Sequence, residues 1–174
     1  MQYNIERACD ILDRTPAVLQ SLLSGLPNDW VLPNEGPDTF SPFDVVGHLI
    51  HGERTDWAVR ARIILEYGNT KTFDRYDRFA QYQESKGKNV QQLLDEFALV
   101  RAENLQWLKA KHITEADLDR TGMHPVLGEV SLRNLLATWV VHDLTHIAQI
   151  TRVMAKQYKT EMGPWPEFFR ILDF

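Results

Sequence analysis

Two histidines, His142 and His146, stand four residues apart near the C-terminal end of the chain. Their segment has apolar residues every three or four positions, which predicts a helix over about residues 132–158. At about 100° per residue the two side chains lie about 40° apart, so both can reach one metal ion. The pair alone also fits two core histidines that are satisfied by hydrogen bonds. The apolar residues that share their sector are Leu135, Trp139, Ile150 and Val153.

A third histidine, His48, lies on an inward face of another predicted helix, residues 42–67. It shares its sector with Val59 and Ile63, and Gly52, one turn further on, leaves space beside the imidazole. Three histidines from two helices match the pattern of catalytic metal sites, in which a position is left for water or substrate. We therefore predict one divalent metal ion. Zinc is the first choice, and nickel, iron and copper are the alternatives.

Three residues that follow His48 are candidates for a general base: His51, Glu53 and Asp56. The sequence does not choose among them. His51 lies about 60° from His48 on the helical wheel, which also fits a fourth ligand, a hydrogen-bond partner of a ligand or a surface residue. Ion pairing is the simpler interpretation of the two acids, and the candidate partners are Arg54, Arg60 and Arg101.

Other polar residues have simpler interpretations. His124 precedes Pro125 in a predicted loop, where it either rims the site or is exposed. Asp143 is turned about 100° away from His142, which favours a salt-bridge or hydrogen-bond partner over a ligand. The single cysteine, Cys9, excludes an intrachain disulfide and lies on the apolar phase of the first helix as a small buried hydrophobe.

Prolines and glycines divide the chain into four long helical blocks. Thr15-Pro16 kinks or restarts the first block, and Ser41-Pro42 is a strong helix start for the second. No segment shows the sustained alternation of a strand, and TGMHPVLGEV is interpreted as a loop. The pattern predicts one all-α domain over residues 1–174, a four-helix bundle with a long crossover between helices 2 and 3. The predicted helices span residues 3–24, 42–67, 89–111 and 132–158, and a short apolar helix, EFFRIL, closes the chain.

Composition narrows the functional classes. The chain has 174 residues, 44% of them hydrophobic, and a formal net charge of −5. It has no cluster of lysines and arginines, so nucleic acid is not expected as a partner. It has no apolar run long enough to span a membrane, and its first residues do not resemble a secretory signal. We therefore expect a cytoplasmic protein.

Two segments together resemble the DinB-like superfamily. SPFDVVGHLIHGERTDW is similar to the second helix of that family, and HPVLGEVSLRNLLATWVVHDLTHIAQITRVM is similar to its fourth. The resemblance implies an up-down-down-up four-helix bundle, often dimeric, whose metal ligands correspond to His48, His142 and His146. Relatives in the family include thiol transferases that use bacillithiol or mycothiol and a mycothiol-dependent maleylpyruvate isomerase.

These observations support a metal-dependent enzyme, either a thiol S-transferase or a hydrolase, that acts on a small molecule. A low-molecular-weight thiol is a candidate co-substrate, and a homodimer is expected from the family. The alternative is a non-catalytic stress-response protein that binds a metal or a small ligand. A structural bundle whose histidines are only packed is the third hypothesis. The fold alone does not decide among them.

Overall fold

A computed structural model of the chain describes residues 3–173. The first helical block is interrupted as predicted: α1 spans Ile5–Leu12, and α2 spans Thr15–Leu23 with Pro16 in its first turn. Proline is tolerated there because the first amides of a helix have no intrahelical partner. A single turn of helix, α3 (Asn28–Val31), lies in the connection that follows.

The second helical block begins at a capping box, in which Ser41 and Asp44 each bond the backbone of the other. Helix α4 spans Pro42–Thr55, and α5 spans Trp57–Tyr67. The prediction of one uninterrupted helix over 42–67 was wrong at Asp56, where φ is −113° and ψ is −87°. No glycine or proline marks this position, so the sequence gives no sign of the break.

The crossover after α5 contains the short helix α6 (Gln81–Glu84) and leads to α7 (Val90–Ala110). Another short helix, α8 (Glu115–Leu118), follows. The last long helix, α9, spans Leu132–Lys156. Both long helices begin at capping boxes, Asn89 with Gln92 and Ser131 with Asn134. The predicted C-terminal helix is instead two 3-10 turns, Pro166–Phe168 and Arg170–Leu172.

The prediction of a loop over TGMHPVLGEV was wrong, because this segment forms an antiparallel hairpin. Strand β1 (Thr121–His124) pairs with β2 (Gly128–Ser131), and His124 lies opposite Gly128. Three residues connect the strands, and Gly128 has a φ of +76°. Short hairpin connections commonly place a glycine in this left-handed conformation, which explains why the chain turns here.

The bundle is up-down-down-up, as predicted. We call α1 with α2 helix 1, α4 with α5 helix 2, α7 helix 3 and α9 helix 4. Helices 2 and 3 are parallel, because Arg54 pairs with Glu96 and, further along both helices, Arg62 lies over Trp107. Helix 1 runs in the opposite direction to helix 3, because Leu12 contacts Arg101 and Gln20 contacts Asp95. Helix 4 runs in the opposite direction to helix 2, because His48 contacts His142 and Trp57 stacks on Trp139.

One buried guanidinium joins all four helices. Arg101 on helix 3 donates to Glu53 on helix 2, to both carboxylate oxygens of Asp143 on helix 4, and to the carbonyl of Leu12 on helix 1. Burial disfavours the charge of Arg101, but the two carboxylates outweigh burial and raise its pKa above the usual value. These hydrogen bonds fix the positions of the four helices relative to one another.

The apolar core lies at both ends of this charged network. One group of buried side chains includes Trp57, Trp139 and Leu136, and the other includes Phe97, Leu49 and Ile150. Within residues 3–173, no helix is both long and apolar enough to cross a membrane.

Candidate metal centre

The Nε2 atoms of His48, His142 and His146 converge between helices 2 and 4. His142 Nε2 lies 3.1 Å from His48 Nε2 and 3.1 Å from His146 Nε2. One ring nitrogen from each of the three lies within 4.8 Å of the others. Zinc–nitrogen bonds of 2.0–2.1 Å in a tetrahedron imply a nitrogen–nitrogen separation of about 3.3 Å. The three histidines that the sequence predicted as ligands therefore meet at a spacing that fits one divalent ion.

Regular helix geometry produces this convergence. His142 and His146 are one turn apart on α9, so their rings project from the same face, with centroids 4.3 Å apart. His48 projects from α4 towards them, and its ring centroid lies 4.7 Å from that of His146. Because both helices are packed in the bundle, the site is built on rigid elements.

The second nitrogen of two of the rings has a partner. His48 Nδ1 lies 3.1 Å from Tyr76 Oη, and His146 Nδ1 lies 2.8 Å from Gln149 Oε1. A proton on each Nδ1 donates to these oxygens and leaves the Nε2 lone pair directed into the cluster. His142 Nδ1 is buried and has no hydrogen-bond partner within residues 3–173. This pattern of tautomers suits a metal ion at the centre.

Burial keeps all three imidazoles neutral. Desolvation, together with the neighbouring histidines, lowers the pKa of His48 to about 3 and that of His142 to about 2. Desolvation also lowers the pKa of His146, against the opposing effect of its bond to Gln149. A neutral imidazole is the form that binds a metal, so no proton has to leave these rings at neutral pH.

The histidine cluster forms part of the wall of a cavity of about 660 Å³ that opens to solvent. Phe40 and Trp57 supply apolar surface beside the histidines, and Tyr76 reaches the cavity from the crossover. Gly52 also lines it, and a Cβ there would lie only 3.2 Å from Trp57 Nε1. An ion held by the three histidines would keep positions open towards this space, as catalytic metal sites do.

Two of the three candidates for a general base lie outside the cavity. His51 is buried, and its Nδ1 lies 3.0 Å from a carboxylate oxygen of Glu84. Glu53 is buried too, and it accepts hydrogen bonds from Arg101, Asn104 and the indole of Trp139. Both side chains are committed to partners that hold the fold, so neither is available to a substrate.

The third candidate, Asp56, lines the cavity at the break between α4 and α5. Its Oδ1 lies 3.0 Å from Arg60 Nη1 in an ion pair. Burial raises the pKa of Asp56 to about 6, although Arg60 and His51 oppose the shift. A carboxylate with a pKa near neutrality is suited to accepting a proton under physiological conditions.

The remaining predicted residues have structural partners. His124 rims the cavity, and its Nδ1 accepts hydrogen bonds from the amides of Val126 and Leu127 in the hairpin turn. Asp143 is bound by Arg101 and is not part of the cluster, which agrees with the prediction of a salt bridge. Cys9 is buried, and burial raises the pKa of its thiol.

Sequence reasoning missed the role of Tyr76. It lies in the polar crossover, where no periodicity predicts the direction of a side chain. The bond from His146 to Gln149 was accessible, because Gln149 follows one helical turn later on the same inward face.

Comparisons with known proteins agree with this architecture. The family model of the DinB superfamily matches residues 11–150. The chain is similar to the solved structure of YfiT from Bacillus subtilis, described as a probable metal-dependent hydrolase with an unusual four-helix bundle topology. That similarity has a TM-score of 0.75 at 21% sequence identity, and it covers 91% of this chain and 87% of YfiT. No curated protein matches the chain.

Proposed function

The chain belongs to the DinB superfamily, and from this premise we propose that it is a metal-dependent hydrolase acting on a small molecule. One divalent ion would be held by His48, His142 and His146. The observation that carries the proposal is the convergence of three neutral Nε2 atoms beside an open cavity. Zinc is the first choice, with nickel, iron and copper as alternatives, because three imidazoles suit all four metals.

The chemistry divides between the ion and the chain. When bound, a divalent ion supplies Lewis acidity, which makes a water molecule or a thiol nucleophilic near neutral pH. Asp56 would accept the proton of the nucleophile, since it is the one candidate base that lines the cavity. Phe40 and Trp57 would give the substrate an apolar surface to contact beside the histidines.

Hydrolysis is preferred to thiol transfer for two reasons. A water nucleophile gains from a positioned carboxylate such as Asp56, whereas a thiol loses its proton more readily without one. YfiT, which shares the fold, is described as a probable metal-dependent hydrolase. Transfer to a low-molecular-weight thiol is the alternative reaction for the same centre.

Metal analysis tests the centre itself. We expect stoichiometric metal in the purified protein and loss of that metal in His48→Ala, His142→Ala and His146→Ala. His112→Asn is the matched control, because His112 lies outside the cluster and asparagine tolerates its φ of +48°. Wild-type protein that binds no divalent metal would refute the proposed centre.

Turnover tests the reaction. Metal-loaded protein should hydrolyse members of a panel of small esters and amides, and removal of the metal should abolish the activity. Transfer to thiols without hydrolysis would show the alternative reaction and would contradict the preference for water. Full metal occupancy without turnover in either assay would favour a non-catalytic binding protein.

A further inference from the structure

The cavity beside the histidines carries an excess of positive charge. The residues that line it include three arginines, Arg60, Arg75 and Arg78. Among the described residues that line it, Asp56 is the one carboxylate, and that carboxylate pairs with Arg60. Two positive charges are therefore left without a counter-ion, in a chain whose net charge is −5. This local excess contrasts with the rest of the molecule.

Arg60 belongs to the wall itself. It is buried, pairs with Asp56, donates to the carbonyl of Asp74 and lies over the ring of Phe73. These contacts hold its guanidinium in place. The two unbalanced charges are therefore those of Arg75 and Arg78.

Arg78 is positioned by aromatic rings. Its guanidinium carbon lies 4.9 Å from the ring centroid of Phe79 and 5.8 Å from that of Phe40. The Phe40 ring centroid is in turn 5.5 Å from that of His48. Cation–π contacts hold a guanidinium by its face, so the N–H donors at its edge stay free for a ligand.

Neither arginine is neutralised by the protein. Within residues 3–173, no carboxylate oxygen lies within ion-pair distance of Arg75 or Arg78. Both come from the crossover between helices 2 and 3, which also supplies Tyr76. Guanidinium groups bind carboxylate and phosphate through paired hydrogen bonds, and two arginines that line one cavity suit a single anionic group.

We propose that the cavity takes a small molecule that carries a carboxylate or phosphate group, which Arg75 and Arg78 bind. The inference rests on the proposed function for the position of the reacting group, which would lie at the three histidines. The anionic group would hold the substrate at the mouth and direct its other end inwards. The substrate class is thus a small anion with a hydrolysable bond at a distance from its charge.

Binding of simple anions to the metal-loaded chain of 174 residues tests this inference. Succinate and inorganic phosphate are titrated by NMR at low ionic strength, with uncharged succinamide as the neutral counterpart of succinate. The variant is Arg75→Gln/Arg78→Gln. Its control, Arg7→Gln/Arg62→Gln, removes the same charge from exposed residues that do not line the cavity. Metal content and thermal unfolding are measured for each protein.

We expect succinate or phosphate to bind about tenfold more weakly to Arg75→Gln/Arg78→Gln and unchanged to the control. Tighter binding of succinate would identify carboxylate as the anion, and tighter binding of phosphate would identify phosphate. Three results would each overturn the inference. They are an equal loss of anion binding in both double variants, binding of succinamide as tight as that of succinate, and no measurable binding of either anion.

The outcomes also separate this inference from the proposed function. Arginine-dependent anion binding by a protein that holds no metal would refute the metal centre and leave the anion site standing. If the protein holds stoichiometric metal but its anion binding does not depend on Arg75 and Arg78, only the anion site is refuted.

Discussion

Tyr76 Oη lies 3.1 Å from His48 Nδ1, and this bond joins the crossover to the histidine cluster. Burial raises the pKa of Tyr76 above its ordinary value, so the phenol stays protonated. The hydroxyl can therefore accept the proton of His48 Nδ1 while its own hydrogen points to the His48 carbonyl, 3.5 Å away. Partners of this kind orient a ligating histidine and select its tautomer.

Tyr76→Phe should weaken metal binding by about 10- to 100-fold, because His48 loses the group that orients it. The fold should remain, since only a hydroxyl is removed. Competition with a chromophoric chelator measures the metal affinity. Tyr82→Phe is the control, because Tyr82 packs on Phe40 in the same region but lies outside the cavity. Equal affinities in wild type and both variants would contradict an orienting role for Tyr76.

Asp56→Asn should lower kcat of the proposed hydrolysis by about 10²- to 10⁴-fold, the usual contribution of a general base. Metal content should not change, because Asp56 does not belong to the group of three histidines that would hold the ion. Steady-state kinetics and metal analysis measure the two effects. Asp74→Asn removes an exposed carboxylate of the crossover and should leave kcat unchanged. A full rate in Asp56→Asn would show that another group, or none, accepts the proton.

Arg101→Met should destabilise the protein by about 3–5 kcal/mol, because it leaves Glu53 and Asp143 buried without their cation. Urea denaturation measures the free energy of unfolding. Arg54→Met is the comparison, since the Arg54–Glu96 pair joins helices 2 and 3, as the Arg101–Glu53 pair does, but is partly exposed. That change should cost less than about 1 kcal/mol. Similar losses in both variants would show that burial of the network is not what makes Arg101 important.

Glu35 provides a pH-dependent contact between the first long connection and helix 4. Hydrogen bonds from Arg152 and then Lys156 lower the pKa of Glu35 from 4.5 to about 2, against burial. A carboxyl whose pKa is lower in the folded than in the unfolded state stabilises the protein at pH values above the unfolded-state pKa. This contribution is lost as the pH falls towards the folded-state pKa. The relevant window is therefore about pH 4.5 down to about 2.

Glu35→Gln should reduce the free energy of unfolding by about 1 kcal/mol at pH 7, since the ion pair is partly exposed. The difference from wild type should stay constant above about pH 4.5 and shrink as the pH falls towards 2. Urea denaturation across this range tests the expectation. If the difference in the free energy of unfolding between wild type and Glu35→Gln grew at lower pH, the prediction would be contradicted.

The helices and the histidine cluster were accessible from sequence because both depend on local periodicity. His142 and His146 share a face in any regular helix, and the apolar neighbours of His48 identify its face as inward. The up-down-down-up topology came from the family resemblance, because spacing within one helix says nothing about the direction of another.

Other features depend on contacts that periodicity does not encode. The break at Asp56 has no glycine or proline to mark it, and Tyr76 lies in a crossover whose path is set by packing. The hairpin does have a local signal in the sequence, since Pro125 and Gly128 bracket a short turn. Among the candidate bases, the choice of Asp56 required tertiary structure, because Glu53 is paired with a residue 48 positions away.

Arg75, Tyr76 and Arg78 lie in one short stretch of the crossover, so the metal site and the proposed substrate contacts come from different parts of the chain. The bundle helices present the three histidines, while this stretch provides the contacts proposed for the substrate. Replacement of a single non-helical segment could therefore redirect such a protein to a new substrate without disturbing the ion-binding scaffold. An ancestral bundle could diversify by exchanging this segment alone, provided that a side chain equivalent to Tyr76 continues to hold His48.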